Sequence, residues 1–190
     1  MPMGIDQQTA AGLLRSCDRR RAKGRRDYAI LLTLLRLGLR AGEVAHLRLE
    51  DIDWRAGEVT VRGKGGHERR LPLPNDVGEA MTAYLRRGRP QGSVQREVYL
   101  RAVAPIGPLG TNGISGIVRC ACVRAGVPIV RAHRLRHTLA CQMANAGVPL
   151  PEIAEVLRHR AISSTSEYAR VDIAGLRAVA QPWPGGEGDE

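Results

Sequence analysis

Apolar positions recur along this chain with two different periods. In "DYAILLTLLRLG", residues 27–38, they are dense enough for a buried helix, and Gly38 supplies the stop. "QQTAAGLLRSC" (7–17) predicts a short helix before it, and "AGEVAHLRL" (41–49) a short helix after it. From Gly57 the period becomes two: "EVTVRGKGGHERRLPLP" predicts two strands joined by a Gly-rich turn, with Val59 and Val61 on one face and Leu71 and Leu73 in the second strand.

Helical spacing then returns in "DVGEAMTAYLRR" (76–87) and in "TNGISGIVRCACVRAG" (111–126), where Thr111 or Asn112 is the expected N-cap. Between them, 88–110 is the loosest stretch, with one candidate short strand at "EVYL". Leu135, Leu139 and Met143 mark a helix in "HRLRHTLACQMANAG", which Gly147 ends. Pro151 suits the first turn of a helix over "PEIAEVLRH". The pattern as a whole predicts a mainly α fold with a small antiparallel β-sheet (α+β). One domain is expected over residues 1–180, followed by a flexible acidic tail at 181–190.

Charge adds a partner to this outline. The chain has 29 Lys and Arg against 19 Asp and Glu, a net charge of +10, which favours a polyanion such as nucleic acid. Only Lys23 and Lys64 are lysines, so each is informative where it falls. The segment "DRRRAKGRR" (18–26) reads as a basic connector, and Arg19, Arg20, Arg21, Lys23, Arg25 and Arg26 are candidates for contact with the DNA backbone. Cys17, Cys120, Cys122 and Cys141 form no CxxC pair and are expected to be ordinary reduced thiols. With no 18-residue apolar run and no leader-type opening, the expected setting is cytoplasmic, away from any membrane.

The polar groups that stand out are Arg40, Lys64, His133, Arg136, His159 and Tyr168. Taken singly, each has an ordinary explanation: a capping arginine, a solvated turn lysine, a helix-terminal histidine, a packing tyrosine. Together they suit phosphoryl transfer without a metal. Guanidinium groups bind non-bridging phosphate oxygens while staying charged, and a lysine ammonium can protonate a leaving oxygen. A phenol beside cations can attack phosphorus and form an ester. His133 and His137 are spaced i, i+4, but no third ligand accompanies them, so neither metal nor other cofactor is expected; His137 is assigned a supporting role.

Four stretches, "LGLRAGEVAHLRLEDIDW", "VRGKGGHERRLPLP", "HRLRHT" and "LRHRAISSTSEYARV", resemble in order the signature blocks of the tyrosine recombinase (phage integrase) catalytic domain. The resemblance implies that fold, and site-specific DNA recombination or integration through a 3′-phosphotyrosyl intermediate. It assigns Arg40 and Arg136 to the scissile phosphate with His133 and His159, Lys64 to the leaving group, Tyr168 to the nucleophile, and Glu43 to the support of Arg40. Arg158 stands where the family usually has Gly before the histidine; it and Arg134 join the candidate DNA contacts.

The implied partner is double-stranded DNA bound by a homo-oligomer, a tetramer on DNA, with a monomer in solution compatible with it. In that family an N-terminal domain usually closes over the other side of the DNA; here about 26 residues precede the helix of the first block, so the chain is expected to be either a fragment or a member that works without its own clamp. "VDIAGLRAVAQPW" matches the segment that the family often passes to a neighbouring protomer. Two other readings remain in view: a type IB topoisomerase-like relaxing enzyme, and a catalytically idle DNA-binding fragment or regulator.

Overall fold

The computed structural model describes residues 4–63 and 68–157. Its elements are, in order, α1 (Gln7–Arg15), α2 (Ala22–Leu37), α3 (Ala41–Ala45), a single 3-10 turn (Leu49–Asp51), β1 (Ile52–Asp53), β2 (Glu58–Arg62), β3 (Glu68–Pro72), α4 (Asn75–Arg87), α5 (Gly110–Ala125), α6 (Ala132–Asn145) and α7 (Leu150–Leu157). The fold is mainly helical with a small antiparallel sheet, as the periodicity predicts. Backbone contacts divide it into two compact units, Met1–Gln142 and Met143–Glu190.

In the first unit α2 is the central element. Ala29 to Leu35 and Leu37 are all buried, so the helix is covered on every side rather than along one stripe. Its neighbour α4 buries Val77, Ala80, Met81 and Tyr84, the i, i+3, i+4, i+7 face of an amphipathic helix. The two run antiparallel: Arg36 near the end of α2 pairs with Asp76 at the start of α4 (2.8 Å), and Arg25 near the start of α2 donates to the Arg87 carbonyl at its end (3.1 Å). Ile114, Ile117, Val118, Ala121 and Cys122 give α5 an apolar face of the same period, which packs with α1, α2 and α3.

The sheet has one strand more than expected. β1 pairs with β2 (Ile52 opposite Val59), and β2 pairs with β3 (Val59 opposite Leu71, Arg62 opposite Glu68). β1 holds two residues, too few to show an alternation in the sequence. "EVYL" forms only isolated bridges, Arg48 with Glu97 and Leu100 with Pro108, yet Val98, Tyr99 and Leu100 are fully buried. There Tyr99 stacks on Tyr84 with ring centroids 5.7 Å apart, and its hydroxyl lies 3.0 Å from Thr33 Oγ1.

Three boundaries move. α2 begins at Ala22 rather than Asp27, so the second half of the basic connector is helical; α3 ends at Ala45; α5 begins at Gly110, which places Thr111 and Asn112 inside it and excludes both as N-cap. In the second unit Gly147, with φ of 78°, follows α6, and α7 starts one residue before Pro151. The acidic tail at 181–190 lies outside the described residues. Among the described residues no helix is long and apolar enough to cross a membrane.

Candidate active site

The candidate site forms where α2 ends. Gly38 caps that helix in the left-handed conformation, φ 56° and ψ 31°, which glycine adopts without a Cβ penalty. Its carbonyl accepts a hydrogen bond from Arg136 Nη1 at 2.7 Å, across 98 residues of chain. Two residues beyond Gly38, Arg40 occupies the N-cap position of α3. A single αL turn thus fixes the start of one arginine and the guanidinium of the other at one corner.

Glu43 holds Arg40 from two directions. One carboxylate oxygen accepts the Arg40 backbone N–H (2.7 Å) and the other accepts its Nη1 (2.9 Å), the first being the glutamate half of a capping box. The Glu43 side chain is 6% exposed and that of Arg40 is 50% exposed. The guanidinium is therefore anchored on a buried carboxylate, with half of the Arg40 side chain exposed.

α6 supplies the other face. Arg136 is buried at 6% exposure, and His133, one turn earlier, is exposed. The His133 and His137 rings meet edge to face with centroids 5.7 Å apart. Leu135 is fully buried and anchors the helix to the core. Among the described residues no group of three His, Cys, Asp or Glu gathers in a way that could hold a metal ion.

The family model that describes the phage integrase family matches residues 4–174 of the chain. The chain belongs to the phage integrase family. It is 48% identical to the putative integrase/recombinase y4rA of Sinorhizobium fredii, over 97% of this chain and 46% of that protein. It is 40% identical to y4gC of the same organism, over 98% of both chains, and 36% identical to the tyrosine recombinase XerC of Oceanobacillus iheyensis, over 81% of this chain and 52% of that one. The chain thus spans about half the length of y4rA and XerC. The crystal structure of XerA recombinase shares the fold, with a TM-score of 0.79 at 24% identity, over 94% of this chain and 64% of that one.

In this phage integrase family member the Gly38 carbonyl links Arg136 to the turn that leads into Arg40, Glu43 holds Arg40, and the His133 and His137 rings meet on α6. Lys64, Arg158, His159 and Tyr168 lie outside the described residues, as does the segment after Tyr168. The basic candidates divide. Arg26 is withdrawn as a DNA contact: it is buried, donates through Nε and Nη2 to Asp27 Oδ1 (3.1 and 2.7 Å), and gives Nη1 to the Leu100 carbonyl (3.0 Å). Arg134 is half-buried, with Nη2 3.5 Å from the Gly4 carbonyl oxygen. Arg19 lies over the Tyr28 ring, 4.7 Å from its centroid, while Arg20, Arg21 and Lys23 are exposed.

Sequence reasoning missed three supporting groups. The Gly38 carbonyl is one. Thr138 is the second: its hydroxyl donates to the Arg134 carbonyl (2.9 Å) and accepts the Ile5 backbone N–H (2.9 Å), which ties the helix of His133 and Arg136 to the N-terminal segment. Asp51 is the third, buried under the sheet. It accepts the Arg48 backbone N–H (2.8 Å) and bonds Arg62, which also donates to Glu68 (2.8 Å). Arg62 thus ties β2 both to Asp51 and to Glu68 of β3. An acid eleven residues before an arginine gives no periodic signal, so only the fold shows the pairing.

Proposed function

We propose that the chain is the catalytic part of a site-specific DNA recombinase that cuts and rejoins strands through a 3′-phosphotyrosyl intermediate. The observation that carries this reading is the corner at Gly38, where Arg136 is fixed by a carbonyl and Arg40 by a buried carboxylate. Two guanidinium groups so held can accept a phosphate between them, with His133 on the exposed side. They favour the pentacovalent transition state because its added negative charge falls on oxygens they already face.

In the proposed reaction the Tyr168 phenol passes its proton to a neutral imidazole of the site as its oxygen attacks phosphorus, the P–O5′ bond breaks, and Lys64 gives a proton to the departing 5′ oxygen. His159 assists at the same phosphate. Rejoining runs the steps in reverse, with a 5′-hydroxyl displacing tyrosine and the proton returning to Lys64. One ester is exchanged for another, so neither ATP nor a metal ion enters the balance. The relatives' names, integrase/recombinase and tyrosine recombinase, support the assignment. So does the likeness of fold to XerH bound to difH substrate and to a lambda integrase dimer bound to a core site. The proposed partner is duplex DNA, engaged by a tetramer that forms on two paired sites.

The test is covalent trapping. Incubated with nicked duplexes carrying its recombination site, in EDTA, the wild-type protein forms a protein–DNA adduct and Tyr168→Phe forms none. An adduct that survives that substitution, or none from the wild type, overturns the reading. Relaxation of supercoiled plasmid with no preferred site identifies a topoisomerase instead.

A further inference from the structure

A second cationic face lies at the opposite end of α2 from the Gly38 corner. The Arg25 bond to the Arg87 carbonyl brings the connector 18–25 against the last turn of α4, where Arg86 and Arg87 are exposed. Arg20, Arg21 and Lys23 project from the connector side and are exposed as well. The carboxylate in the connector is Asp18, which pairs with Arg21 Nε (3.3 Å) and accepts the Arg20 backbone N–H (3.1 Å). Asp76, the acid in the first turn of α4, is paired with Arg36 at the other end of the helix pair.

The local sequence does not need this arrangement. The first turn of a helix stabilises acidic side chains and disfavours basic ones, yet the first turn of α2 carries Lys23 and Arg25 and no acid. Two segments 62 residues apart contribute the cations, so a basic run in one loop does not account for the face. A local rule broken on an exposed surface marks a site whose partner is external. Spread guanidinium groups around a lysine fit a row of phosphates better than a single small anion.

We propose that this face binds the sugar–phosphate backbone of duplex DNA, at a segment separate from the phosphate held at the Gly38 corner. The inference rests on the chain's acting on DNA. The 16 residues of α2 set the separation along that helix at about 24 Å. The face therefore adds affinity and orientation without touching the scissile phosphate. Arg26, buried beside it, serves to fix the start of α2 beneath the exposed cations.

The test uses the full chain carrying Arg20→Glu, Lys23→Glu, Arg86→Glu and Arg87→Glu together, with binding to a 40-base-pair duplex measured across a salt series. The slope of log K against log salt becomes shallower, by about 3.6 if all four side chains meet phosphates, since each lost phosphate contact removes about 0.9. Parallel slopes for variant and wild type overturn the proposal. A second variant with Gln at the same four positions is read the same way if the reversed-charge protein does not fold. Co-sedimentation of the wild type, but not the variant, with phosphatidylserine vesicles alongside parallel DNA slopes assigns the face to a lipid surface and also overturns it. Adduct formation at low salt separates the two readings: a changed slope with no wild-type adduct defeats the recombinase assignment and leaves this face standing.

Discussion

The two ends of α2 each hold a buried arginine, and they use it differently. At the N-terminal end Arg26 lies on the carboxylate of its own neighbour Asp27, whose other oxygen is 3.9 Å from Arg124. At the C-terminal end Arg136 is fixed by the Gly38 carbonyl. A carboxylate neutralises a guanidinium as it positions it, whereas a carbonyl orients the group and leaves its charge in place. The first arrangement ties a helix start to its own neighbouring carboxylate, and the second ties a helix end to a side chain 98 residues away.

The largest effect is expected at the C-terminal end. Arg136→Lys keeps a positive charge but loses the planar fork that can hold both Gly38 and a phosphate oxygen. Single-turnover adduct formation should fall about 100- to 1,000-fold, in the range for loss of one preorganised transition-state donor. A rate within threefold of wild type would show that the carbonyl bond does not prepare the site. Next in size is Asp27→Ala, which leaves the Arg26 charge buried beside the lost partner. Urea unfolding should show a loss of about 3–5 kcal/mol, with adduct formation by the folded fraction unchanged. If activity per folded molecule fell with it, the two ends would be coupled.

The smallest effect is a pH dependence at the N-terminal end, where Tyr84 accepts the Leu100 N–H on the same segment whose carbonyl takes Arg26. Burial pushes the Tyr84 and Tyr99 phenols above their ordinary value of 10.0 and the Cys17 thiol above 9.0. Because the folded state holds these protons more tightly, the stabilisation is complete below those ordinary values and is lost as pH rises through and beyond them. The urea midpoint should fall from about pH 9 upward, and Tyr99→Phe should flatten part of that fall. Equal alkaline loss in both proteins would remove Tyr99 from the account.

What the sequence can and cannot express follows the same division. The spacing of His133 and Arg136, and of Arg40 and Glu43, is local, so a helix of 3.6 residues per turn makes each pair readable from the sequence alone. The early start of α2 is hidden by its basic residues, which read as a solvated loop although Lys and Arg are good helix formers. Gly24 adds to the loop signal, but its place in the helix is steric: a Cβ there would run into the Asp18 carbonyl. Neither β1, two residues long, nor the bond between Arg136 and Gly38 leaves a periodic trace. The burial of Arg26 beside Asp27 is equally invisible, because the composition of 18–26 is the same whether its arginines point out or in.

The Gly38 carbonyl has one more consequence, for the order in which the protein is made. The ribosome releases Gly38 long before Arg136, which follows it by 98 residues, so a nascent chain holds its first arginine near an acceptor whose donor has yet to be synthesised. The Gly38 corner closes only when α6 has docked at the end of α2, a contact of long sequence separation that is slow to form. A copy in which α6 has not docked therefore lacks the bond that orients the Arg136 guanidinium, however complete its other helices are.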